Sequence, residues 1–152
     1  MRIWRPDQQF RLAQESGLLR KFMPDFPIYE PLGVTHVSGY WTSNSGYTYL
    51  VRIFVPDGYP DTCPTTYVDQ PSPLLDYFGQ PMTRYGNSHQ FHTWETDRAG
   101  FVKICTYKPE FWDASSTLIQ MIQKSFLWIT AYEDHARTGI AISDVLLDMQ
   151  NR

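Results

Sequence analysis

From Pro6 to Phe22 the apolar residues Phe10, Ala13, Leu18, Leu19 and Phe22 recur at near-helical spacing, and Pro6 suits a first turn, so the pattern predicts a helix. MPDFPIYEPLG then brings Pro24, Pro27 and Pro31 close together, which ends the helix and leaves loop or edge strand. Two runs rich in β-branched and aromatic residues follow, VTHVSGYWTS and YTYLVRIFVP. The NSG between them supplies turn residues, so the pair reads as a hairpin. A further short strand is predicted from Thr65 to Val68, continuing an antiparallel meander. Residues 71–104 hold no long periodic pattern. After a cap at Asp113 or Ser115, TLIQMIQKSFLWITAYE places Leu118, Ile119, Ile122, Phe126 and Ile129 on one helical face. Past Gly139, the spacing of Ile142, Val145, Leu146 and Met149 predicts a short last helix with Asp144 and Asp148 on its polar side. Helix, meander, irregular segment, helices: the order is that of an α+β fold.

With 152 residues, 42% hydrophobic and 19% charged, the chain suits one globular domain spanning 1–152. A net charge of −3 argues against general nucleic-acid binding, although Arg5, Arg11, Arg20 and Lys21 make the first helix locally basic. The opening MRIWRPDQQF lacks the apolar run of a secretory signal, and no stretch is long and apolar enough to span a membrane, so a cytoplasmic protein is expected. Both cysteines, Cys63 and Cys105, are then expected to be reduced.

Cys63 lies between Pro60 and Pro64 in turn chemistry and reads as a packed small side chain. Cys105 sits in a polar and aromatic stretch, with His89 and His92 upstream at a length suited to a loop folding back past it. Thiol chemistry needs a thiolate, access for substrate, and donors for the charge on an attacked carbonyl. Either imidazole could supply a donor or take a proton. A hydrolase or zinc site built from the same three residues would need a further ligand or polar partner, and none stands at a recognisable spacing, so no metal is expected.

The stretch YLVRIFVPDGYPDTCP, then HTW at His92–Trp94, GFVKIC ending at Cys105 and WDASSTLIQMI from Trp112 together resemble the ubiquitin-conjugating (E2) family over Gln8 to about Tyr132. In that family a YxVxIxxPxxYPxxxP strand is followed by His-Pro-Asn, Gly-x-Ile-Cys and Trp-Ser-Pro-Ala. The resemblance implies the E2 (UBC-like) fold, with an N-terminal helix, a four-stranded antiparallel meander, an irregular active-site segment and C-terminal helices. It also implies that Cys105 forms a thioester with a ubiquitin-like modifier, that Trp112 shapes the site, and that the basic helix, through Arg11 and Arg20, docks an E1-like activating enzyme. Trp94 stands in the asparagine place, the His-to-Cys segment is longer, and Pro is absent after Trp112. His92 or His89, with Asn87 as a weaker substitute, is therefore expected to provide the missing oxyanion donor. No bound cofactor is implied, because ATP is consumed upstream by the E1 partner. The ending WITAYEDHARTG is similar to stand-alone bacterial members from antiphage defence operons, where a cyclic-oligonucleotide synthase can itself be the conjugated protein. A catalytically silent E2 variant that only binds the modifier or a partner is the alternative.

Overall fold

The structure is a computed structural model that describes residues 1–150, with side chains through Leu146. The first helix, α1, runs Pro6–Phe22. Six strands follow: β1 Ile28–Tyr29, β2 His36–Thr42, β3 Thr48–Phe54, β4 Thr65–Gln70, β5 Thr93–Trp94 and β6 Val102–Ile104. Two helices close the chain, α2 Leu118–Thr138 and α3 Ile142–Gln150. The fold is α+β, as the order of signals predicts. The expected apolar position Met149 and polar position Asp148 of α3 lie outside the described side chains.

The expected sheet of four strands is corrected to six, in the order β1-β2-β3-β4-β6-β5, with every neighbouring pair antiparallel. β1 to β4 form the meander. The chain then leaves the sheet, and residues within the irregular segment return as the β5–β6 hairpin, with β6 against β4. On β3 strict alternation buries Tyr49, Val51 and Ile53 and leaves Leu50, Arg52 and Phe54 half-exposed on the other face. The buried face meets Met121, Ile122, Trp128 and Ile129 of α2 in one core. Gly39 is required on β2, because a Cβ there would lie 2.2 Å from the Asp25 carbonyl oxygen.

On the outer face Arg98 clamps the loop between β5 and β6 to the sheet. Its guanidinium donates to both carboxylate oxygens of buried Asp69, at 2.7 and 3.1 Å, and lies over the rings of Phe54 and Tyr67. The hairpin that ends at Cys105 is thus fixed from outside as well as by its ladder.

α1 departs most from its hydropathy. Periodicity would turn Phe10, Leu18 and Phe22 to the core, yet they are exposed at 69%, 40% and 60%, and the buried positions are Gln8, Glu15 and Leu19. The Gln8 side chain accepts the Arg5 amide and donates to the carbonyls of Asp57 and Tyr59. The Glu15 carboxylate accepts the Tyr59 hydroxyl and, at 2.7 Å, the Leu118 amide, the first N–H of α2, with Arg11 Nε at 3.4 Å. Burying one large apolar side chain is worth about 1.5–3 kcal/mol. Each buried polar group left unpaired costs about 1–3 kcal/mol. Several such groups converge on this face of α1, so their sum exceeds what Phe10 or Phe22 would gain by turning in.

Removing the Glu15 carboxylate leaves the Tyr59 hydroxyl and an α2 amide without their acceptor and Arg11 without its counter-charge. Glu15→Ala is expected to cost about 3–5 kcal/mol in urea unfolding, whereas Phe10→Ser is expected to stay within about 0.5 kcal/mol of wild type. The reverse ranking would show that α1 packs through its apolar stripe.

Candidate active site

Cys105 follows directly on β6, and the register Thr93↔Ile104 and Trp94↔Lys103, continued by one pair, sets it opposite His92. The Cys105 amide donates to the His92 carbonyl at 2.8 Å. That carbonyl also accepts Trp128 Nε1 at 3.1 Å, and the indole shares its hydrogen with the Phe91 carbonyl at the same distance. His92 has φ 50°, in the left-handed region that a side chain with a Cβ visits at a cost of about 1–2 kcal/mol. This turn ends the ladder and lets the loop double back, placing the His89 and His92 rings 5.4 Å apart. The loop is pinned a third time where Ser143 of α3 donates to the Gln90 carbonyl at 2.9 Å.

Two adjoining clefts share the thiol. One, of about 190 Å³, brings Cys105 together with His89, His92, Asn87, Trp94 and Lys108. The other, of about 550 Å³, adds Lys124, Tyr107, Phe111 and Leu127 to Cys105 and the two histidines. Cys105 is half-buried, and its thiol makes no hydrogen bond to either imidazole among the described residues. Burial pushes the Cys105 thiol above its ordinary value; Lys108 and Lys124 oppose that shift and Glu110 adds to it. Cys63, also a free thiol, is pushed up to about 11 by burial and by the neighbouring Cys105. Burial, with the charges of His89 and Lys108 added, holds the His92 imidazole below the ordinary histidine range. His92 is therefore neutral at pH 7, with one ring nitrogen to donate and one to accept.

No protein-family model, curated protein or solved structure matches the chain. The residues themselves carry the chemistry.

Asn87 is exposed, and its side-chain carbonyl accepts the Glu95 amide at 2.8 Å. With the oxygen fixed, the carboxamide NH2 makes no hydrogen bond among the described residues, and Asn87 is a second oriented donor on the wall of the smaller cleft. Trp112 is buried away from the thiol. Its Nε1 donates to the Pro60 carbonyl at 2.8 Å, and its ring meets Tyr59 and, edge to face, Tyr107. Tyr107 in turn lines the larger cleft, and its ring carries the Lys124 ammonium 4.2 Å from its centroid. Arg11 and Arg20 lie apart from the thiol, on α1. Arg11 donates to the carbonyls of Ala114 and Ser116, at 2.5 and 2.6 Å, and so ties the segment ahead of α2 to α1. Arg20 is exposed and donates to Ser16 Oγ.

Sequence reasoning missed Lys108, Lys124 and Trp128. Lys108 stands three residues after Cys105, where a cation is a recognised influence on a thiol. Lys124 and Trp128 are one turn apart on α2, but nothing in their spacing says which side of the helix meets the cysteine. Among the described residues there is no group of three His, Cys, Asp or Glu side chains able to hold a metal ion, and no helix long and apolar enough to cross a membrane.

Two titrations follow from these charges. Iodoacetamide labelling read by mass spectrometry from pH 7 to 10 should modify Cys105 ahead of Cys63, with a Cys105 midpoint above about 8.5 that rises further in Lys124→Ala and Lys108→Ala. Equal labelling of the two thiols, or a midpoint indifferent to both lysines, would remove the electrostatic account. For His92, the depressed value means that the folded protein binds fewer protons than the unfolded chain. Its stability contribution is complete above about pH 6.5 and is lost as pH falls through the lower folded value. His92→Gln should flatten that acid-side loss in thermal melts, and the NMR midpoint of His92 should lie below about 6.5.

Proposed function

We propose that this chain is an E2-like acyl carrier with an E2 (UBC-like) fold, holding a ubiquitin-like modifier or another activated protein as a thioester on Cys105. The observation that carries the reading is the pairing of Cys105 with His92 across the end of a two-stranded ladder, on the wall of a cleft that also holds Asn87. The other segments behind the resemblance support it by where they pack. Tyr59 and Pro60 of the YP segment meet Trp112, seven residues after the cysteine in sequence, in a ring contact of 6.3 Å and a hydrogen bond of 2.8 Å.

In the proposed cycle the Cys105 thiolate attacks the thioester carbonyl of the modifier on an E1-like enzyme. A new C–S bond forms at Cys105 and the E1 thiolate leaves. An acceptor amine then attacks the same carbonyl carbon, the C–N bond forms, Cys105 leaves as thiolate, and the amine gives up a proton to solvent or to His92. Through each tetrahedral stage the oxygen carries negative charge, for which His92 N–H and the Asn87 carboxamide are the available neutral donors and Lys108 and Lys124 the nearby cations. ATP enters only through the E1 partner. The outward face of α1, with Phe10, Leu18 and Phe22 beside Arg20 and Lys21, suits E1 docking. Arg11 is largely engaged within the fold. The WITAYEDHARTG ending favours the stand-alone bacterial members of defence operons.

A catalytically silent binding module is the second reading, favoured by the raised thiol value and by the lack of a bond from imidazole to sulfur. One set of reactions separates the two. With E1-like enzyme, ATP and modifier, wild type and Cys63→Ala should carry an adduct cleaved by excess thiol, and Cys105→Ala should carry none. Cys105→Ser should give a slower, thiol-resistant oxyester. His92→Ala should still be charged but transfer to amine on the order of a hundredfold more slowly, the scale of one lost oxyanion donor. If an E1 shown to be active on the same modifier never charges wild type, the silent module takes its place.

A further inference from the structure

The two clefts at the thiol differ in the amines they hold. Lys108 lines both of them with Cys105 and His92, whereas Lys124 lines only the larger. The chain bends at Thr106 and Tyr107, straight after the cysteine, and Lys108 follows in extended conformation at φ −75° and ψ 134°. The bend turns a residue three places on back beside the thiol. After burial, the Lys108 charge is the largest influence on the Cys105 thiol, and after burial and His89 it also bears on the His92 imidazole. Thiol, imidazole and ammonium are neighbours.

The two lysines are not equivalent as amines. Lys124 is exposed and holds its ammonium 4.2 Å from the centroid of the Tyr107 ring, an attraction that exists only while the nitrogen is charged. Lys108 is half-buried, and its ammonium has no ion pair or hydrogen bond among the described residues. The neutral His92 ring in the same two clefts offers a lone pair for a proton.

An amine already beside an acyl group on Cys105 needs no encounter to attack it. We propose that Lys108 is a built-in modification site, taking acyl groups from Cys105 when no outside acceptor arrives. The relay rests on the carrier reading in that Cys105 must first accept an acyl group. The Cys105 thiolate attacks the carbonyl of an acyl thioester, a new C–S bond forms, and the donor's thiolate leaves. The Lys108 ammonium passes a proton to His92 or water, and the neutral amine attacks the same carbonyl carbon. The C–N bond forms, the bond to Cys105 breaks with its electron pair on sulfur, and a second amine proton goes to solvent. The amide resists thiol and removes one cation beside Cys105, so a self-acylated copy keeps a less reactive cysteine.

The test uses the full chain and the acetylglycyl thioester of 2-mercaptoethanesulfonate, which needs no E1-like enzyme. After incubation at mildly alkaline pH, excess thiol strips S-acyl groups, and peptide mapping by mass spectrometry reads the amides that remain. Tethered groups reach effective concentrations on the order of millimolar, so with about 0.1 mM thioester the amide at Lys108 should exceed that at exposed Lys21 and Lys124 by roughly tenfold or more. Cys105→Ala should bring Lys108 down to the level of Lys21, whose direct acylation reports on the reagent alone. Lys108→Arg keeps a positive charge without a nucleophile, so the acyl group should stay on sulfur, removable by thiol, for longer than in wild type. A thiol-labile adduct on Cys105 with no amide at Lys108 would overturn the relay and leave the carrier reading standing. A cysteine that never takes the acyl group, an amide on Lys124 instead, or Lys108 acylation that survives Cys105→Ala would overturn the relay as well. Charging by an E1-like enzyme is a separate measurement, so the two failures stay distinct.

Discussion

The carboxylate of Glu15 is the constraint on which the arrangement of the helices rests. It is buried, so it must be paired, and its partners come from three parts of the chain: Arg11 on its own helix, the Tyr59 hydroxyl, and the amide that opens α2. A negative group at a helix N-terminus also meets the positive end of the helix dipole. Apolar contacts across the core tolerate small slides, whereas this set of hydrogen bonds does not. It therefore fixes where α2 starts. Trp128 is then carried about 15 Å along the axis at 1.5 Å per residue, to the point where its indole reaches the carbonyls of Phe91 and His92. The surroundings of Cys105 are set from the far end of α2.

The electrostatics at the thiol pull in two directions. Burial keeps Cys105 protonated more than an ordinary thiol, which limits its rate as an attacking group. The same raised value makes it a poorer leaving group, so an acyl thioester held there would resist adventitious attack. Lys108 and Lys124 temper the first effect. A hydrolase needs a strong base close to its nucleophile, and here no imidazole is hydrogen-bonded to the sulfur among the described residues.

Long, strongly periodic segments were legible in the sequence. The helix from Pro6 to Phe22, the hairpin, the strand beginning at Thr65 and the helix through Leu118 all stand where the pattern puts them. β1 and β5, of two residues each, and β6, of three, are too short to show a period, and they exist because a neighbouring strand offers hydrogen bonds. The cap of α2 illustrates a different limit. Asp113, Ser115 and Thr117 are all good cap residues, and Thr117 is the one used because Glu15 has already chosen Leu118 as the first helical amide. The inverted face of α1 has the same origin. Hydropathy ranks Phe10 above Gln8 and Glu15, but it cannot register partners that lie 51 and 103 residues away. At the candidate site the order of His, Cys and Trp was readable. The pairing of His92 with Cys105 depends on a register that no local pattern encodes.

That pairing is made through the backbone of His92 and Cys105 and not through their side chains. His92 adopts a left-handed conformation with a Cβ present, so its loop needs outside support. Three hydrogen bonds supply it, from the Cys105 amide, the Trp128 indole and, at Gln90, the Ser143 amide. Trp128 suits this role because its ring also stacks on Tyr132, 5.7 Å away and 3° from parallel, so the donor is held by packing on one side and by hydrogen bonds on the other. Phenylalanine would pack but not donate, and histidine would donate but fill less space. Because these hydrogen bonds fall on the main chain of Gln90, Phe91 and His92 and not on the imidazole, the His92 ring does not need a bond to sulfur for the two residues to stay opposite each other. Its neutral ring keeps one N–H and one lone pair for a group that arrives in the cleft, which is the condition for serving an oxyanion in one step and an amine proton in the next.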